Sequence, residues 1–404
     1  MTADRPVLRL AAGDNSAENA RNAVGIVGRH YLRHFAVAVA ILAACYAVLT
    51  LVVDPYGISP LGLSIPLIDR YRPKRLDIDR LIKPYEVWRY QPRTVFLGTS
   101  RIHQSIDPAV LDGTPFAPAY NASVPANSLG MNISYLDEYT RLDSRLHSVF
   151  IELFLYNFLG QGQERHSQSL RQMAVDTATL FVSANTATDA LYTLWYNLAK
   201  NKPCYQIMPG GYFYYPPGHD PKGTFDGFTA GIFGIDKSQH ADPELSDAAF
   251  ASFDQIIAAA HRHGLAATFV LTPYHPYFWS YIEAIDRWDL IRDWLARLTA
   301  KTPILSFAQP NPWTYEAVGY RMVYWNDPFH FSLAMGRGIT ESLAGIPDLS
   351  LPANFMQRLT PDLVPAWVAA QRAATQRWGR DNPAFIAALD AAKRKARGPA
   401  PPRP

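Results

Sequence analysis

The sequence holds only two cysteines, Cys45 and Cys204, among 404 residues. Cys45 lies inside an apolar run, so no internal disulfide framework is expected, although this usage does not fix the compartment. A charge excess is also missing: 38 Lys and Arg against 35 Asp and Glu leave a formal +3. That balance argues against nucleic acid as a partner, which needs a concentrated basic surface. His, Cys, Asp and Glu nowhere fall at metal-ligand spacing, and no glycine-rich phosphate loop occurs. Neither a metal nor another cofactor is therefore expected. Solenoid-type repeats are absent as well.

Apolar residues are plentiful. Hydrophobic residues make up 48% of the chain and aromatics 13%, and the 32 prolines imply long ordered loops. Phe35 to Val53 carries no charge. As a helix this run would reach about 28 Å, close to the roughly 30 Å of a bilayer's hydrocarbon core. Arg21, Arg29 and Arg33 precede it, whereas Asp54-Pro55 follow and the next basic residue is Arg70. The positive-inside rule then places the N-terminus in the cytoplasm and the remainder across the membrane. Two processing routes compete with a permanent anchor. Leu42-Ala43-Ala44-Cys45 has the form of a lipidation site, and signal cleavage is the other route. The apolar run continues well beyond Cys45, which favours the uncleaved anchor.

Residues 1–34 read as a disordered cytoplasmic tail, 35–53 as the membrane helix and 54–90 as a stalk. An α/β domain is expected over 91–348, with a helical and loop insertion at 160–235, and a helical or disordered tail over 349–404. Thr94-Val95-Phe96-Leu97, Val149 to Leu155, Ala267 to Leu271 and Pro303 to Phe307 read as buried strands. Between them, Phe250, Phe253, Ile256, Ile257 and Ala260 mark one face of a helix, with Ser246 as N-cap and Gly264 as stop. Leu290, Ile291, Trp294, Leu295 and Leu298 mark another. Strand and helix in alternation predict a parallel sheet covered on both faces, a flavodoxin-like three-layer sandwich. Within the insertion, Ser169 to Leu198 looks helical and Pro209 to Phe228 reads as a loop. Its Tyr212-Phe213-Tyr214-Tyr215 suits either stacking on a ligand or packing onto the domain.

Parallel sheets carry their chemistry in the loops beyond the strands' carboxyl ends. Gly98-Thr99-Ser100-Arg101 directly follows the first strand, so Ser100 would project into the crevice. A serine needs a base to become a nucleophile. Trp325-Asn326-Asp327-Pro328-Phe329-His330-Phe331-Ser332 supplies one, because Asp327 and His330 can share a turn and the carboxylate can orient the imidazole. Arg101 suits an anionic substrate or a loop salt bridge. His275, at a strand end, suits the crevice lining or an ordinary loop. His261 and His263 close a helix, where cations suit the dipole.

Taken in order, LGTSR, YNAS and DPFH resemble the membrane-anchored SGNH/GDSL hydrolase-like family of bacterial cell envelopes, related to exopolysaccharide O-acetylation proteins. The resemblance covers roughly residues 94–345. It implies a serine esterase or O-acyltransferase with Ser100, His330 and Asp327 as triad, acting on an acylated polysaccharide or other envelope ester. It also implies a polytopic acyl-donating membrane protein as partner, and Asn121 of its second block joins Arg101 and His275 as a candidate substrate-binding residue. In that family's second block Ser123 stands where a glycine N–H serves the oxyanion hole, alongside the Ser100 N–H. The third block's Gly-x-Asn has no match in register, and Asn157 is the nearest residue. The gap keeps a non-catalytic binding or assembly factor open as the alternative.

Overall fold

The computed structural model describes residues 15–142, 145–159, 170–216, 218–239 and 244–397. Residues 1–14 of the expected tail, Ser169, Pro217 and residues 398–404 lie outside the described residues.

The chain begins with helix α1 (Asn15–Val53), and its segment Gly28–Val53 is long and apolar enough to cross a membrane. The polar residues from Asn15 onward thus continue the helix instead of forming a disordered tail. A short helix α2 (Pro66–Asp69) and helix α3 (Asp79–Tyr90) follow. These occupy the expected stalk, yet Ile82, Lys83 and Val87 of α3 are completely buried. Residues 54–90 are part of the folded body, which corrects the stalk reading. Polar residues hid this, because Lys83, Asp79 and Glu86 bond to the domain instead of to water.

The body is built on strands β1 (Thr94–Leu97), β2 (Ala119–Asn121) and β3 (Ser148–Glu152), a small hairpin β4 (Gln206–Ile207) and β5 (Phe213–Tyr214), then β6 (Ala266–Leu271), β7 (Ile304–Ser306) and β8 (Gln357–Leu359). The main sheet runs β2-β1-β3-β6-β7-β8, parallel throughout except for β8, which pairs antiparallel with β7. Helices α4 (Ser100–Ser105), α5 (Leu129–Leu142), α6 (Leu170–Val182), α7 (Ala184–Trp195), α8 (Pro221–Gln239), α9 (Asp247–Arg262), α10 (Pro276–Ile285), α11 (Trp288–Thr299), α12 (Leu333–Ala344), α13 (Val364–Asp381) and α14 (Pro383–Arg397) surround it.

Successive strand residues point to opposite faces, and here they feed two cores. Val95, Leu97, Val149, Ile151, Phe269 and Leu271 join one core with Leu136, Ile256 and Trp294 of α5, α9 and α11. Phe96, Phe150 and Val270 join the other with Ile102, Met335 and Ile339 of α4 and α12. The expected caps of α9 are present: the Ser246 side chain accepts from Ala249 N–H, and Gly264 follows at φ +66°.

Three more readings are corrected. The expected tail at 349–404 contributes β8 to the sheet edge, while Trp367 of α13 is buried in the first core. The helical stretch read as Ser169 to Leu198 is two helices, broken at Ser183, whose side chain accepts from Thr186 N–H to start α7. The loop read as Pro209 to Phe228 ends earlier, at α8.

Candidate active site

Strand order reverses between β1 and β3, and a crevice is expected outside the carboxyl ends of strands that part there. Ser100 stands at that point as the first residue of α4, directly after the β1 turn. Thr99 caps the helix, its Oγ1 accepting from Arg101 N–H at 3.3 Å. Gly98 is required by close approach: a Cβ there would lie 2.6 Å from Ile102 Cγ1 and 2.9 Å from Glu152 Cβ. Glu152, buried at the end of β3, holds this turn. Its Oε2 accepts from Thr99 N–H at 2.7 Å and from Thr99 Oγ1 at 2.8 Å, while its Oε1 accepts from Thr272 Oγ1 at 3.0 Å.

The loop after β7 returns to the same place. Asp327 Oδ1 accepts from the N–H groups of Phe329 and His330 at 2.8 and 2.9 Å, folding the motif into one tight turn. Its other oxygen lies 2.7 Å from His330 Nδ1, and His330 Nε2 lies 2.8 Å from Ser100 Oγ. An ionised Asp327 accepts a hydrogen bond from Nδ1–H, leaving Nε2 as the acceptor for the serine hydroxyl. Burial pushes the Asp327 carboxyl up, but the hydrogen bond and charge of His330 and the two N–H groups outweigh it and hold it below the usual range. Ser100 is half-buried and His330 keeps 19% of its side chain exposed, so a substrate can reach both.

Two helices hold this arrangement. Ser332 caps α12 by accepting from Ala334 and Met335 N–H, and Ser105 Oγ, on α4, donates to the Phe331 carbonyl. At Gly336 the backbone of α12 crosses that of α4 so closely that a Cβ would lie 1.6 Å from the Ser105 carbonyl oxygen.

Other expected site residues are placed elsewhere. Arg101 is 1% exposed and does not face the crevice opening. Its Nε donates to the Phe329 carbonyl at 2.9 Å, its Nη2 to that of Pro273, and its Nη1 lies 3.5 Å from Glu152 Oε1. The guanidinium sits 4.2 Å over the Tyr274 ring. Arg101 therefore ties the serine loop to the histidine loop, which corrects its substrate-binding reading. Asn121 is fully buried, and its amide donates to the carbonyls of Ile102 and Ile106 at 2.9 and 2.8 Å, closing the end of α4. Its Oδ1 accepts from Ser123 N–H at 3.1 Å. The Ser123 N–H is thus occupied and does not point into an oxyanion hole. His275 is also fully buried. It caps α10, with Nδ1 accepting from Tyr277 N–H and Nε2 3.0 Å from the Glu316 carbonyl. Burial lowers its pKa to about 3, so it stays neutral. Asn157 lies half-buried on the 3-10 turn Leu155–Phe158 beyond β3. The Ser100 N–H, at the first helical position, has no intrahelical acceptor and remains a candidate oxyanion donor.

Sequence reasoning missed three contributors. Glu152 read as ordinary strand. Asn127, four residues beyond the YNAS motif, donates to the Gly98 carbonyl at 3.2 Å and to Asn132 Oδ1 at 2.5 Å. The third is a buried ionic group behind α4. His103 Nε2 approaches Asp79 Oδ2 to 2.9 Å, Lys83 Nζ lies 3.7 Å from the same carboxylate, and Arg75 Nη2 lies 2.5 Å from Glu86 Oε1. Lys83 also donates to the Asn121 carbonyl at 2.7 Å. Burial first, then the Lys83 charge, lowers the His103 pKa and outweighs Asp79. The loop aromatics pack onto the domain: Phe213 is buried against Tyr205 and Tyr215, and Tyr215 donates to Gln104 Oε1. Among the described residues no cluster of three or more His, Cys, Asp or Glu side chains could hold a metal ion. No protein-family model matches the chain, and no curated protein matches it significantly.

Proposed function

We propose that the chain is a membrane-anchored serine esterase or O-acyltransferase of the SGNH type, acting on an acyl ester of an envelope polysaccharide. The observation that carries this is the continuous chain Ser100 Oγ–His330–Asp327, with links of 2.8 and 2.7 Å, opening at the strand switch point. Supporting it, the five parallel strands, numbered along the chain, follow the order 2-1-3-4-5 of flavodoxin-like folds.

In this reading Ser100 Oγ attacks the ester carbonyl while its proton passes to His330 Nε2. Asp327 stabilises the imidazolium through Nδ1–H. As the tetrahedral intermediate collapses, His330 gives that proton to the departing alkoxide and an acyl-Ser100 ester remains. Water, or a sugar hydroxyl, then attacks the acyl carbon with His330 again taking the proton, and His330 returns it to Ser100 Oγ as the acyl–Ser100 bond breaks. The two outcomes differ only in the acceptor. The Ser100 N–H is the first oxyanion donor. α1 anchors the chain in the bacterial inner membrane with its N-terminus cytoplasmic and the domain outside, on the strength of Arg29 and Arg33. A polytopic acyl-donating membrane protein fits the transferase reading as partner.

One observation favours a second reading, a non-catalytic binding or assembly factor: the Ser123 N–H is bonded to Asn121 instead of facing the crevice. Loss of one oxyanion donor typically costs on the order of a hundredfold or more in rate. Hydrolysis of aryl acetates by the wild type and by Ser100→Ala separates the two. The esterase reading expects turnover that Ser100→Ala loses; equal, background-level rates in both would favour the assembly factor.

A further inference from the structure

The membrane helix does not stand clear of the domain along its whole apolar length. Gly28 to Cys45 are exposed, but from Tyr46 onward one side of α1 is packed, and Thr50 and Val53 are buried. The packing partner is the α6–α7 hairpin. Tyr46 Oη donates to the carbonyls of Phe181 and Ser183, at 3.0 and 2.8 Å, at the turn joining the two helices. Farther along, Tyr56 Oη donates to Asp189 Oδ2 at 2.7 Å. These two ties make α7 run beside the end of α1 in the same direction.

Length decides what this means. The free apolar part, Phe35 to Cys45, covers only about 16 Å, half of a hydrocarbon core of roughly 30 Å. Extending the span toward the N-terminus would place Arg29 and Arg33 in hydrocarbon, where a charged side chain is strongly disfavoured. Including Tyr46 to Val53 completes the span at about 28 Å. The turn at Ser183 then lies roughly 10 Å below the outer end of the span.

We propose that the α6–α7 hairpin is a second membrane element, inserted into the outer leaflet beside α1, with lipid as its partner. This rests on the reading of α1 as a membrane span. The composition suits it: from Thr177 to Ala199 the only charged residue is Asp189, and that carboxylate is bonded to Tyr56. Backbone carbonyls in hydrocarbon need internal donors, and the turn supplies them. Tyr46 serves Phe181 and Ser183, and Thr186 Oγ1 donates to Leu180. Toward the surface α7 exposes Leu191 and Trp195, and the turn that follows it exposes Leu198 and ends at Lys200, whose Nζ lies 4.9 Å over the Trp195 ring. Aromatic and lysine side chains at one level mark a membrane–water boundary.

The test uses the full chain in vesicles of phosphatidylcholine and phosphatidylglycerol carrying nitroxides on the acyl chains. Ala178→Cys and Ala184→Cys, both at exposed positions flanking the turn, are each made in a Cys45→Ala/Cys204→Ser background and labelled with a nitrobenzoxadiazole dye. Ser252→Cys on α9 is the distant control, and Cys45 itself is labelled in Cys204→Ser. Labelled proteins are scored when their melting matches the unlabelled wild type. The expected result is that labels at 178, 184 and 45 lose most of their emission to the nitroxide lipids and none to aqueous iodide, with the reverse at 252. Quenching at 45 combined with iodide sensitivity at 178 and 184 overturns the hairpin proposal and leaves the span intact. Iodide sensitivity at 45 as well overturns the membrane span and the hairpin with it.

Discussion

Ser100 Oγ and His330 Nε2 lie 2.8 Å apart although 230 positions separate them in the chain. The two residues open neighbouring helices, α4 directly at Ser100 and α12 just beyond His330, and Gly336 sets the distance between those helices. Gly336→Ala would force the Ser105 backbone away from α12. Overpacking of this kind destabilises by about 1–3 kcal/mol or more, and ester hydrolysis should fall with it. Gly227→Ala, where a Cβ meets nothing within 4 Å, should instead stabilise by up to about 1 kcal/mol. Thermal melting of both variants, with hydrolysis rates alongside, checks the contrast.

Glu152 and Arg101 form a second relationship on which the serine turn depends. Removing one partner of a buried pair typically costs about 3–5 kcal/mol, whereas an apolar replacement of both is often neutral. Glu152→Gln should therefore lower the melting temperature sharply and reduce kcat more than KM, because Glu152 acts through Thr99 and not on substrate. Glu152→Leu/Arg101→Met should be less destabilised than the sum of its single variants. A double-mutant cycle measures that coupling.

Asp327 gives the pH prediction. Its carboxyl is held below the ordinary value of 3.8 in the folded chain, so its stabilising effect is fully present above that value. The effect is lost as pH falls through the folded pKa. The melting-temperature difference between wild type and Asp327→Asn should shrink as pH falls below about 4. At neutral pH Asp327→Asn should lower kcat by about 10⁴, because the amide no longer fixes the imidazole tautomer.

Apart from the short β2, the parallel sheet, α9, α11 and the Ser100, Asp327 and His330 positions were legible in the sequence for a common reason. Each is a local pattern: a short apolar run, a helical stripe, or a motif ending at a strand or turn. The flanking segments were not legible, because their burial is polar. Lys83 and Asp79 look solvated until their partners, Asn121 and His103, arrive from farther along the chain. Gln357-Arg358-Leu359 carries one buried apolar residue and becomes a strand only by pairing with β7. Arg101, Asn121 and His275 were read as facing substrate because they adjoin the right loops. Adjacency along the chain says nothing about side-chain direction, and each turns inward to bond backbone groups.

Ser100 activated by His330 is the central relationship, and covalent labelling tests it most directly. The intact protein is treated with a fluorophosphonate and digested, and the peptide carrying Ser100 is weighed. A phosphonyl adduct on Ser100 in the wild type, absent from Ser100→Ala and strongly slowed in His330→Ala, is the predicted result. A wild type that stays unlabelled, or carries the adduct on another residue, would contradict it.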